Sequence, residues 1–524
     1  MRSPTQSVTE SWQQAQRHEA AGAWQQARPL YESILAIEPG HVPARLRMSR
    51  LEQAADRHGP ARAHVLQAAA AVRERGGSRH IGYVTARLLD FAEEDVAAGL
   101  VLAADWNDPD FIRQSPALAQ HLWLARRYQD ALRLLDAMAR HVPAHPLLSF
   151  TRGNVLRYMG DMEGDTKQYE ASLSLDPALA DAHWALATHS RAQPPLARVP
   201  RLLAALRHAG DEASRAQLLY ALFHEYDNAG DTALAWASLE QGAAIRRAGL
   251  VHDDAAETRR VDALMRLAVP ASSPPPSVST GPCPVFVVGM PRTGTTLLDR
   301  ILGNHRDVAS LGERNDLAAA ASEASGRFFH SPLQEGAAAL IEGLDAAEAG
   351  RIYLRRIAGG APAASHLLDK NPQNLFAVPL ILRALPQARI VCLRRDPMDA
   401  CFSNLKELFQ GGAYSYSYTQ EELAGHCLRA QRWMEHWQAA APHAVRMVDY
   451  EALVRAPATT AAALLDFLGL PAQAALEDIA RNRAPVATAS SSQVRDGVHA
   501  RAIGAWKRYA DRLQPLRERL GAQA

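Results

Sequence analysis

The chain has 524 residues, 22% of them charged, and a formal net charge of +1 at pH 7. This length predicts two or more domains, and the balance of charge argues against a nucleic-acid surface and against an acidic disordered protein. Residues 1–22 contain no apolar core, and no stretch approaches the ~20 apolar residues that cross a bilayer. We therefore expect a cytoplasmic protein with no secretion signal and no membrane span.

The spacing of the four cysteines matches no metal site. They are Cys283, Cys392, Cys401 and Cys427. We expect free thiols in a reducing compartment, and no bound metal.

The first half of the chain carries a repeated pattern of turns and helices. Ala21–Gly40 and Met159–Ala178 each contain a glycine, a tyrosine nine residues later and a proline eight residues after that. In each segment the turn begins a helix and the proline ends it. Pro109, Pro143 and Pro177 also recur at a 34-residue step, which is the period of helix–turn–helix solenoids.

These positions resemble tetratricopeptide repeats, and a more degenerate unit follows around Gly230 and Ala235. The residues that fit the small-residue, aromatic and proline positions of the repeat are Gly153, Gly160, Tyr169 and Pro177. We expect them to pack neighbouring helix pairs, while the concave face of such an array can bind a peptide or a subunit. Residues 45–110 fit the repeat poorly, so the number of repeats and their partner stay open.

A segment rich in proline and serine, Val269–Pro284, separates this helical half from a half with strands. Proline and serine at that density form a semi-rigid linker. We therefore expect a helical solenoid at residues 1–267, a linker at 268–283 and an α/β domain at 284–524.

The second half alternates short apolar runs with helices, which predicts a parallel sheet covered by helices on both faces. Its strand candidates are Val285–Val288, Arg389–Leu393 and Ala444–Val448, with His366–Asp369 as a fourth. Helices are expected to begin near Thr295, Pro397 and Glu451.

The first of these strands leads into the sequence GMPRTGTTLLDR, from Gly289 to Arg300. Small residues there allow backbone N–H groups to close around an anion, and the following helix adds its positive dipole end. Thr295 stands where nucleotide hydrolases carry the loop lysine. The loop therefore indicates a phosphate or sulfate site, with a plain strand–helix turn as the alternative.

Other segments place polar residues next to apolar runs. Arg395 follows a strand and Ser403 lies about two helical turns later, so the pair can bind a second phosphate. Glu313 and Lys370 also each follow apolar residues. Taken singly, Arg395 also fits an ion pair with Asp396 or Asp399, and Ser403 fits a surface hydroxyl. Glu313 and Lys370 each also fit a surface ion pair.

As an ordered set, these segments resemble the PAPS-dependent sulfotransferases, where PAPS is 3′-phosphoadenosine 5′-phosphosulfate. The resemblance covers residues 284–520 and is strongest to the protein-tyrosine sulfotransferases and their bacterial relatives fused to tetratricopeptide repeats. It implies a P-loop-type α/β domain with a parallel sheet, PAPS as the co-substrate, and no metal.

The resemblance also implies roles for individual residues. Glu313 is the proposed base, and Lys370, Arg292 and Ser491 stabilise the developing charge. The implied contacts are Pro291, Arg292, Thr293, Gly294, Thr295 and Thr296 for the 5′-phosphosulfate, Arg395 and Ser403 for the 3′-phosphate, and Tyr450, Ser491 and Lys507 elsewhere on the cofactor.

One position departs from the family pattern. Relatives usually carry Arg or Lys directly before the tryptophan of the last motif, whereas this chain has Ala505 before Trp506. Arg501 and Lys507 are the candidates to replace that cation. Without a replacement, we expect a lower affinity for the cofactor.

The expected reaction is in-line transfer of a sulfuryl group to a hydroxyl, with tyrosine in a peptide as the leading acceptor by resemblance. A carbohydrate, lipid or small-phenol acceptor stays open, as do recruitment of the acceptor by the repeats and homo-oligomer formation. The alternatives from other classes are a P-loop kinase or nucleotide hydrolase, and a repeat scaffold with an inactive enzyme domain.

Two aromatic segments remain outside these motifs. Tyr414–Tyr418, with the sequence YSYSY, is interpreted either as a flap over the acceptor or as a solvated loop. Trp433 and Trp437 lie on one helix face and are interpreted as core residues.

Overall fold

A computed structural model describes the chain at residues 4–269, 281–359, 364–482, 484–486 and 497–521. Most of the predicted linker, and the predicted site residue Ser491, lie outside these residues. Up to residue 269 the described chain forms fifteen helices, which confirms the predicted helical first half. They are α1 (Pro4–Ala20), α2 (Trp24–Ile37), α3 (Val42–Ala54), α4 (His58–Arg75), α5 (Ile81–Leu89), α6 (Glu94–Ala103), α7 (Pro109–Leu124), α8 (Tyr128–Met138), α9 (Pro146–Met159), α10 (Met162–Leu175), α11 (Ala180–His189), α12 (Val199–His208), α13 (Glu212–Ala229), α14 (Thr232–Ala248) and α15 (Asp254–Met265).

The described part of the second half forms five strands and ten further α-helices. They are β1 (Cys283–Gly289), α16 (Thr295–Leu302), β2 (Val308–Gly312), α17 (Asp316–Ser325), α18 (Ala337–Gly343), α19 (Ala346–Ala358), β3 (His366–Lys370), α20 (Val378–Ala384), β4 (Arg389–Arg394), α21 (Pro397–Leu405), α22 (Gln420–Ala440), β5 (Val445–Asp449), α23 (Tyr450–Arg455), α24 (Pro457–Leu468) and α25 (Gln514–Gly521). Among the helices of the described residues, none combines the length and the apolar character needed to cross a bilayer.

One compact unit comprises Met1–Val155 together with Asn315–His330. Its second helix contains Tyr31, the aromatic residue of the first repeat pattern. This side chain is fully buried, and its hydroxyl donates to Glu19 Oε2 at 2.6 Å. The predicted aromatic position therefore packs one helix against the next.

The short segment Asn315–His330 is held in this unit by Asp56. The Asp56 carboxylate accepts hydrogen bonds from Arg327 Nε at 2.7 Å and from the Phe328 N–H at 2.8 Å. The carbonyl of Gly326 also accepts from the N–H of His58 at 2.9 Å. Residues that follow β2 in the sequence therefore pack with helices of the first repeats.

The other compact unit comprises Leu156–Arg314 and Ser331–Ala524, so it contains both helices α10–α15 and the sheet. On α13, the Tyr220 hydroxyl donates to the carbonyl of Leu405, the last residue of α21, at 3.1 Å. The repeat helices and the α/β elements of this unit are thus hydrogen-bonded to each other.

Ion pairs join α14 and α15 to α22 in the same unit. Arg247 donates twice to Glu422, at 2.8 and 2.7 Å. The buried Glu257 accepts from Arg429 Nε at 2.9 Å and lies 2.6 Å from His426 Nδ1. Burial alone would raise the pKa of Glu257, but His426 and Arg429 outweigh it and lower that pKa to about 2.

The sheet has five parallel strands in the order β2-β3-β1-β4-β5, which confirms the predicted parallel sheet. Four of the strands were predicted, and their helices begin at Thr295, Pro397 and Tyr450, at or next to the predicted positions. The fifth, β2, was not predicted because its sequence VASLG is short and has an exposed serine at its centre. In the sheet formed by the described residues it is an edge strand, paired only with β3.

The parallel register brings the carboxyl ends of the strands together. Val287 pairs with Lys370, and Gly289 pairs with Leu393. Gly312 pairs with Asp369 across a register shift. The loop after β1, the end of β3 and the residue after β2 therefore lie along one edge, which is where open α/β sheets bind ligands.

The two aromatic segments outside the motifs are mostly buried. Trp433 and Trp437 are in the core, as expected, and Trp433 Nε1 donates to the Leu375 carbonyl at 2.8 Å. Tyr416 and Tyr418 are buried as well. For these two rings the interpretation as a solvated loop is wrong, and the interpretation of the segment as a flap stays a prediction.

Candidate active site

The loop between β1 and α16 makes two close approaches that favour glycine. A Cβ on Gly289 would lie 2.6 Å from the carbonyl oxygen of Leu393, and a Cβ on Gly294 would lie 2.5 Å from the ring of Tyr450. Gly294 also has a φ of +102°, in the left-handed region. The Thr293 hydroxyl donates to the loop's own Met290 carbonyl at 2.7 Å, so the turn is closed by a bond within it.

Helix α16 begins directly after this turn, at Thr295. Gly294 occupies the cap position and has no side chain, so it offers no side-chain cap to the first N–H groups of the helix. Such N–H groups lack partners within a helix and stand at its positive dipole end. The buried hydroxyls of Thr295 and Thr296 lie in the same first turn. This arrangement has the donors that a phosphate or sulfate group needs.

Arg292 lies inside the loop in an unusual backbone conformation. Its φ is +65°, which costs a non-glycine residue about 1 kcal/mol or more. Its Nε lies 3.6 Å from Glu407 Oε2. Burial raises the pKa of Glu407, while Arg292 and Lys406 oppose this shift. The guanidinium is therefore held beside a carboxylate that is itself costly to ionise.

Arg395 follows β4 and connects the loop to a distant part of the chain. Its Nη1 donates to the Arg292 carbonyl at 2.9 Å, its Nη2 donates to the Ala502 carbonyl at 2.5 Å, and its guanidinium lies 4.7 Å from the ring centre of Tyr450. The side chain is buried, and within the described residues its Nε has no hydrogen-bond partner.

The bonds that Arg395 makes are to neutral carbonyl groups. Burial lowers the pKa of this guanidinium, because a charged group loses its hydration. Ser403 is also buried, on α21. A buried cation of this kind is stabilised by an anion brought close to it.

The segment that carries the departure from the family pattern is anchored to α21. The carboxylate of Asp399 accepts from the Gly504 N–H at 2.6 Å and from the Trp506 N–H at 3.5 Å. Ala505 thus lies in a short 3-10 helix, Ala505–Tyr509, fixed next to the Arg395 region. Lys507 folds its side chain back over Gly504, within 3.5 Å of where a Cβ would stand.

Glu313 and Lys370 meet at the carboxyl ends of β2 and β3. Lys370 Nζ donates to Glu313 Oε1 at 2.5 Å. The lysine side chain is 1% exposed and the glutamate side chain 39% exposed, so the carboxylate is accessible while its partner is not. Asp299 on α16 also lies near this lysine, and burial raises the pKa of Asp299 although Lys370 opposes the shift. The buried ammonium group of Lys370 therefore stabilises the charged forms of two carboxyl groups, those of Glu313 and Asp299.

Tyr414 is the one half-buried ring of the YSYSY segment. Its phenol is hydrogen-bonded to the side chain of Gln373, and the charge of Glu313 acts on it. Burial raises its pKa well above the usual value. Its hydroxyl therefore stays protonated at neutral pH, beside the accessible carboxylate.

The structure thus brings most of the predicted site residues to one edge of the sheet. Contacts connect the loop with Arg395 and Tyr450, and a second contact joins Glu313 to Lys370. Ser403 lies on α21, and Lys507 lies in the 3-10 helix that Asp399 anchors. Ser491 lies outside the described residues. Glu407 was not foreseen, because its role depends on a tertiary contact and not on a motif. Asp399 was expected only as a possible ion-pair partner of Arg395, whereas its carboxylate accepts from the Gly504 and Trp506 N–H groups.

Family models match both halves of the chain. A tetratricopeptide-repeat model matches residues 19–76, and a sulfotransferase-family model matches residues 284–474. A protein from Aquifex aeolicus (strain VF5), called "Uncharacterized protein", is 32% identical over 242 residues. That match covers 45% of this chain and only 32% of the relative.

Several solved structures are also similar to this chain at low identity. The sulfotransferase domain from the curacin biosynthetic pathway is 18% identical, with a TM-score of 0.29, over 45% of this chain and 99% of that one. A sulfotransferase from Alicyclobacillus acidocaldarius is 18% identical, with a TM-score of 0.27, over 47% and 96% of the two chains. The helical repeats and the five-stranded parallel sheet confirm the predicted fold class. The family models show that the chain carries tetratricopeptide repeats in its N-terminal part and a sulfotransferase domain in its C-terminal part.

Proposed function

We propose that this protein is a cytoplasmic enzyme that transfers a sulfuryl group from PAPS to an acceptor hydroxyl, with tyrosine in a peptide as the preferred acceptor. The observation that carries the proposal is the bond between Arg395 Nη1 and the Arg292 carbonyl. It joins two candidate anion sites, the loop after β1 and the buried guanidinium after β4. A nucleotide with separate 5′ and 3′ anionic groups would engage both.

The loop would hold the 5′-phosphosulfate through the residues from Pro291 to Thr296. The 3′-phosphate would lie against Arg395 and Ser403, with Tyr450 beside them. Within the described residues the Nε of Arg395 has no hydrogen-bond partner, which supports this fit, because a buried guanidinium is best satisfied by an oxyanion. Lys507 would supply the cation missing at Ala505, since its side chain lies over Gly504, the residue before Ala505.

The chain's own residues would then divide the work of the reaction. Glu313 would take the proton from the hydroxyl group of the acceptor. At the same time the hydroxyl oxygen would bond to sulfur, and the bond between sulfur and the bridging oxygen would break. Lys370 and Arg292 would stabilise the negative charge that develops on that bridging oxygen, which leaves with the nucleotide. A tyrosine hydroxyl has a pKa near 10, so a positioned base is needed. The accessible Glu313 carboxylate, fixed by Lys370, is suited to that role.

The tetratricopeptide repeats would recruit or orient a protein acceptor, since helical arrays of this kind present extended binding surfaces. Carbohydrates, lipids and small phenols would use the same transfer chemistry. The acceptor is therefore the part of the proposal that needs the widest screen.

Calorimetry with 3′-phosphoadenosine 5′-phosphate (PAP), the desulfated nucleotide, tests the cofactor assignment. We expect PAP to bind and ATP to bind much more weakly, because ATP has no 3′-phosphate for Arg395. Mass spectrometry would then detect sulfated products after incubation with PAPS and a panel of tyrosine peptides, phenols, sugars and lipids. Equal binding of ATP and PAP would contradict the cofactor assignment, and sulfation of only sugars or lipids would contradict the tyrosine preference.

A further inference from the structure

A short segment of the chain, residues 502–509, is hydrogen-bonded at one end to the candidate active site and at the other end to a repeat helix. It includes the 3-10 helix Ala505–Tyr509. The segment and both of its partners belong to the compact unit that contains the sheet and α10–α15. The segment therefore connects the repeats to the candidate site by direct contacts.

The beginning of this segment is bonded to the region after β4. The Ala502 carbonyl accepts from Arg395 Nη2 at 2.5 Å, and the Gly504 N–H donates to the carboxylate of Asp399 at 2.6 Å. Arg395 is the group proposed for the 3′-phosphate. A shift of the segment would therefore move a carbonyl group that fixes this guanidinium.

The end of the segment is bonded to Asp227, on the repeat helix α13. The Tyr509 hydroxyl donates to Asp227 Oδ1 at 2.6 Å. Arg508 donates through Nη2 to the Asp227 carbonyl at 2.8 Å, and its Nη1 lies 3.1 Å from Asp227 Oδ1. Two consecutive residues of the segment are thus held by one aspartate.

The ring of Tyr509 fixes the direction of its hydroxyl. The residue is buried, and its ring centre lies 5.1 Å from that of Phe402 on α21 and 5.9 Å from that of Trp236 on α14. Burial raises the pKa of Tyr509, and the hydrogen bond to Asp227 raises it further, so the hydroxyl stays protonated and donates. A hydrogen bond to an ionised carboxylate is among the stronger ones in proteins.

The segment also covers the face of α21 that carries the second residue proposed for the 3′-phosphate. Asp399, Phe402 and Ser403 are three and four residues apart and so share one face of the helix. Asp399 contacts the beginning of the segment, and Phe402 contacts its end at Tyr509. Any displacement of the segment therefore changes the surroundings of Ser403 as well as those of Arg395.

We propose that Asp227 is a positioning residue for the 3′-phosphate site, acting through Tyr509 and Arg508 on the segment 502–509. The repeat helix α13 thus completes a nucleotide site whose direct ligands all lie in the sulfotransferase domain. This inference rests on the proposed use of PAPS. The competing explanation is that the contacts of Asp227 only add stability to the fold.

The test compares two nucleotides in the full chain. PAP carries a 3′-phosphate and adenosine 5′-phosphate does not, so only the binding of PAP depends on the Arg395 region. Wild type, Asp227→Ala and Tyr509→Phe are titrated with each nucleotide by calorimetry. We expect the affinity for PAP to fall about 5- to 30-fold in Asp227→Ala and about 3- to 10-fold in Tyr509→Phe. The affinity for adenosine 5′-phosphate should stay within about twofold of wild type, because the loop after β1 is unchanged.

Two further variants separate positioning from a loss of stability. Asp227→Asn keeps an acceptor oxygen for the Tyr509 hydroxyl and should recover part of the PAP affinity that Asp227→Ala loses. Glu212→Ala removes an exposed carboxylate from the same helix and should change neither affinity. The melting temperature of each variant without ligand is measured beside the titrations.

Hydrogen exchange provides a readout that a purely structural contact would not move. If Asp227 is coupled to the nucleotide site, local opening that breaks its bond to Tyr509 also weakens PAP binding. We therefore expect PAP to slow amide exchange at residues 224–230, the end of α13, by about fivefold or more, and adenosine 5′-phosphate to have no such effect. Tyr509→Phe should remove this effect of PAP.

The outcomes distinguish the inference from the proposed function. Wild-type affinity for PAP in both Asp227→Ala and Tyr509→Phe would overturn the inference, and so would an equal loss of affinity for both nucleotides. A wild type that binds no PAP would overturn the proposed function and the inference with it. If Asp227→Ala does not fold, Tyr509→Phe, which keeps the buried ring, is judged by the same criteria. If adenosine 5′-phosphate binds too weakly to titrate, exchange at residues 224–230 that PAP leaves unchanged would overturn the inference.

Discussion

Replacing Arg395 by alanine tests the proposed 3′-phosphate site. Arg395 is 7% exposed, and its bonds to carbonyls leave a buried Nε without a partner in the described residues. One or two charge-assisted hydrogen bonds to a phosphate contribute ~1.5–3 kcal/mol each, so losing one weakens PAP binding about 10- to 100-fold. Binding of nucleotides without a 3′-phosphate should change little.

The neighbouring residue provides the matched control. Arg394 is half exposed and pairs with Asp449 at 2.8 Å, and a pair of this kind contributes at most ~1 kcal/mol to stability. Arg394→Ala should bind PAP like wild type. Because Arg395→Ala also leaves the Arg292 and Ala502 carbonyls unpaired, its melting temperature without ligand must be measured beside calorimetry with PAP and adenosine 5′-phosphate. An equal loss of affinity for both nucleotides would refute the assignment of Arg395 to the 3′-phosphate.

Four further predictions concern chemistry and folding. Glu313→Ala should lower turnover by ~10²-fold or more in steady-state kinetics while PAP binding stays nearly intact, and full activity at neutral pH would mean another base. Lys370→Ala should lose ~10²–10³-fold in turnover, again measured by kinetics, because it removes buried positive charge. Deleting residues 1–145 should preserve PAP binding in calorimetry, whereas deleting residues 1–274 should abolish it, because α13–α15 are bonded to the sulfotransferase domain. A soluble fragment 275–524 that binds PAP would contradict this prediction. The pKa of Glu257 is lowered from 4.5 to about 2, so its ionised form contributes stability that is present above pH 4.5 and is lost as the pH falls towards 2. Glu257→Gln should therefore lower the urea midpoint of unfolding at pH 7 and have a smaller effect on it near pH 3.

The sequence predicted the elements whose signals are local. The strand before Gly289 is a continuous apolar run, and the loop after it carries its own glycines, so both could be identified from a few neighbouring residues. The helix starts at Thr295 and Pro397 follow for the same reason. The edge strand β2 lacks such a run, because its exposed Ser310 interrupts the apolar residues.

Features that depend on tertiary contacts could not be predicted. Glu407 directly follows a lysine after the end of a helix, and nothing in its neighbourhood indicates that it faces Arg292. Tyr416 and Tyr418 have a polar sequence around them, yet both rings are buried, and the ring of Tyr416 stacks on His426 at 3.4 Å. Burial of this kind is determined by the helices that pack against the segment.

The boundary between the two compact units also could not be predicted from the sequence. The proline step that marks the repeats runs unbroken from Pro109 to Pro177, so it gives no sign that the compact units divide at residues 155 and 156. The predicted boundaries at 267 and 284 follow composition, and they stay a prediction. The contacts of Tyr220 with Leu405 and of Arg247 with Glu422 favour a sulfotransferase domain that depends on the last repeats.

The most direct test of the proposed function is transfer of the label from radiolabelled PAPS by the purified full-length chain. With tyrosine peptides as acceptors, we predict that the label appears on the peptide in equal amount to the PAP released, and that Glu313→Ala, while still binding PAP, forms neither product at an appreciable rate. A wild-type protein that binds PAP but transfers no label to any hydroxyl in the panel would contradict the proposal that this chain is an active sulfotransferase.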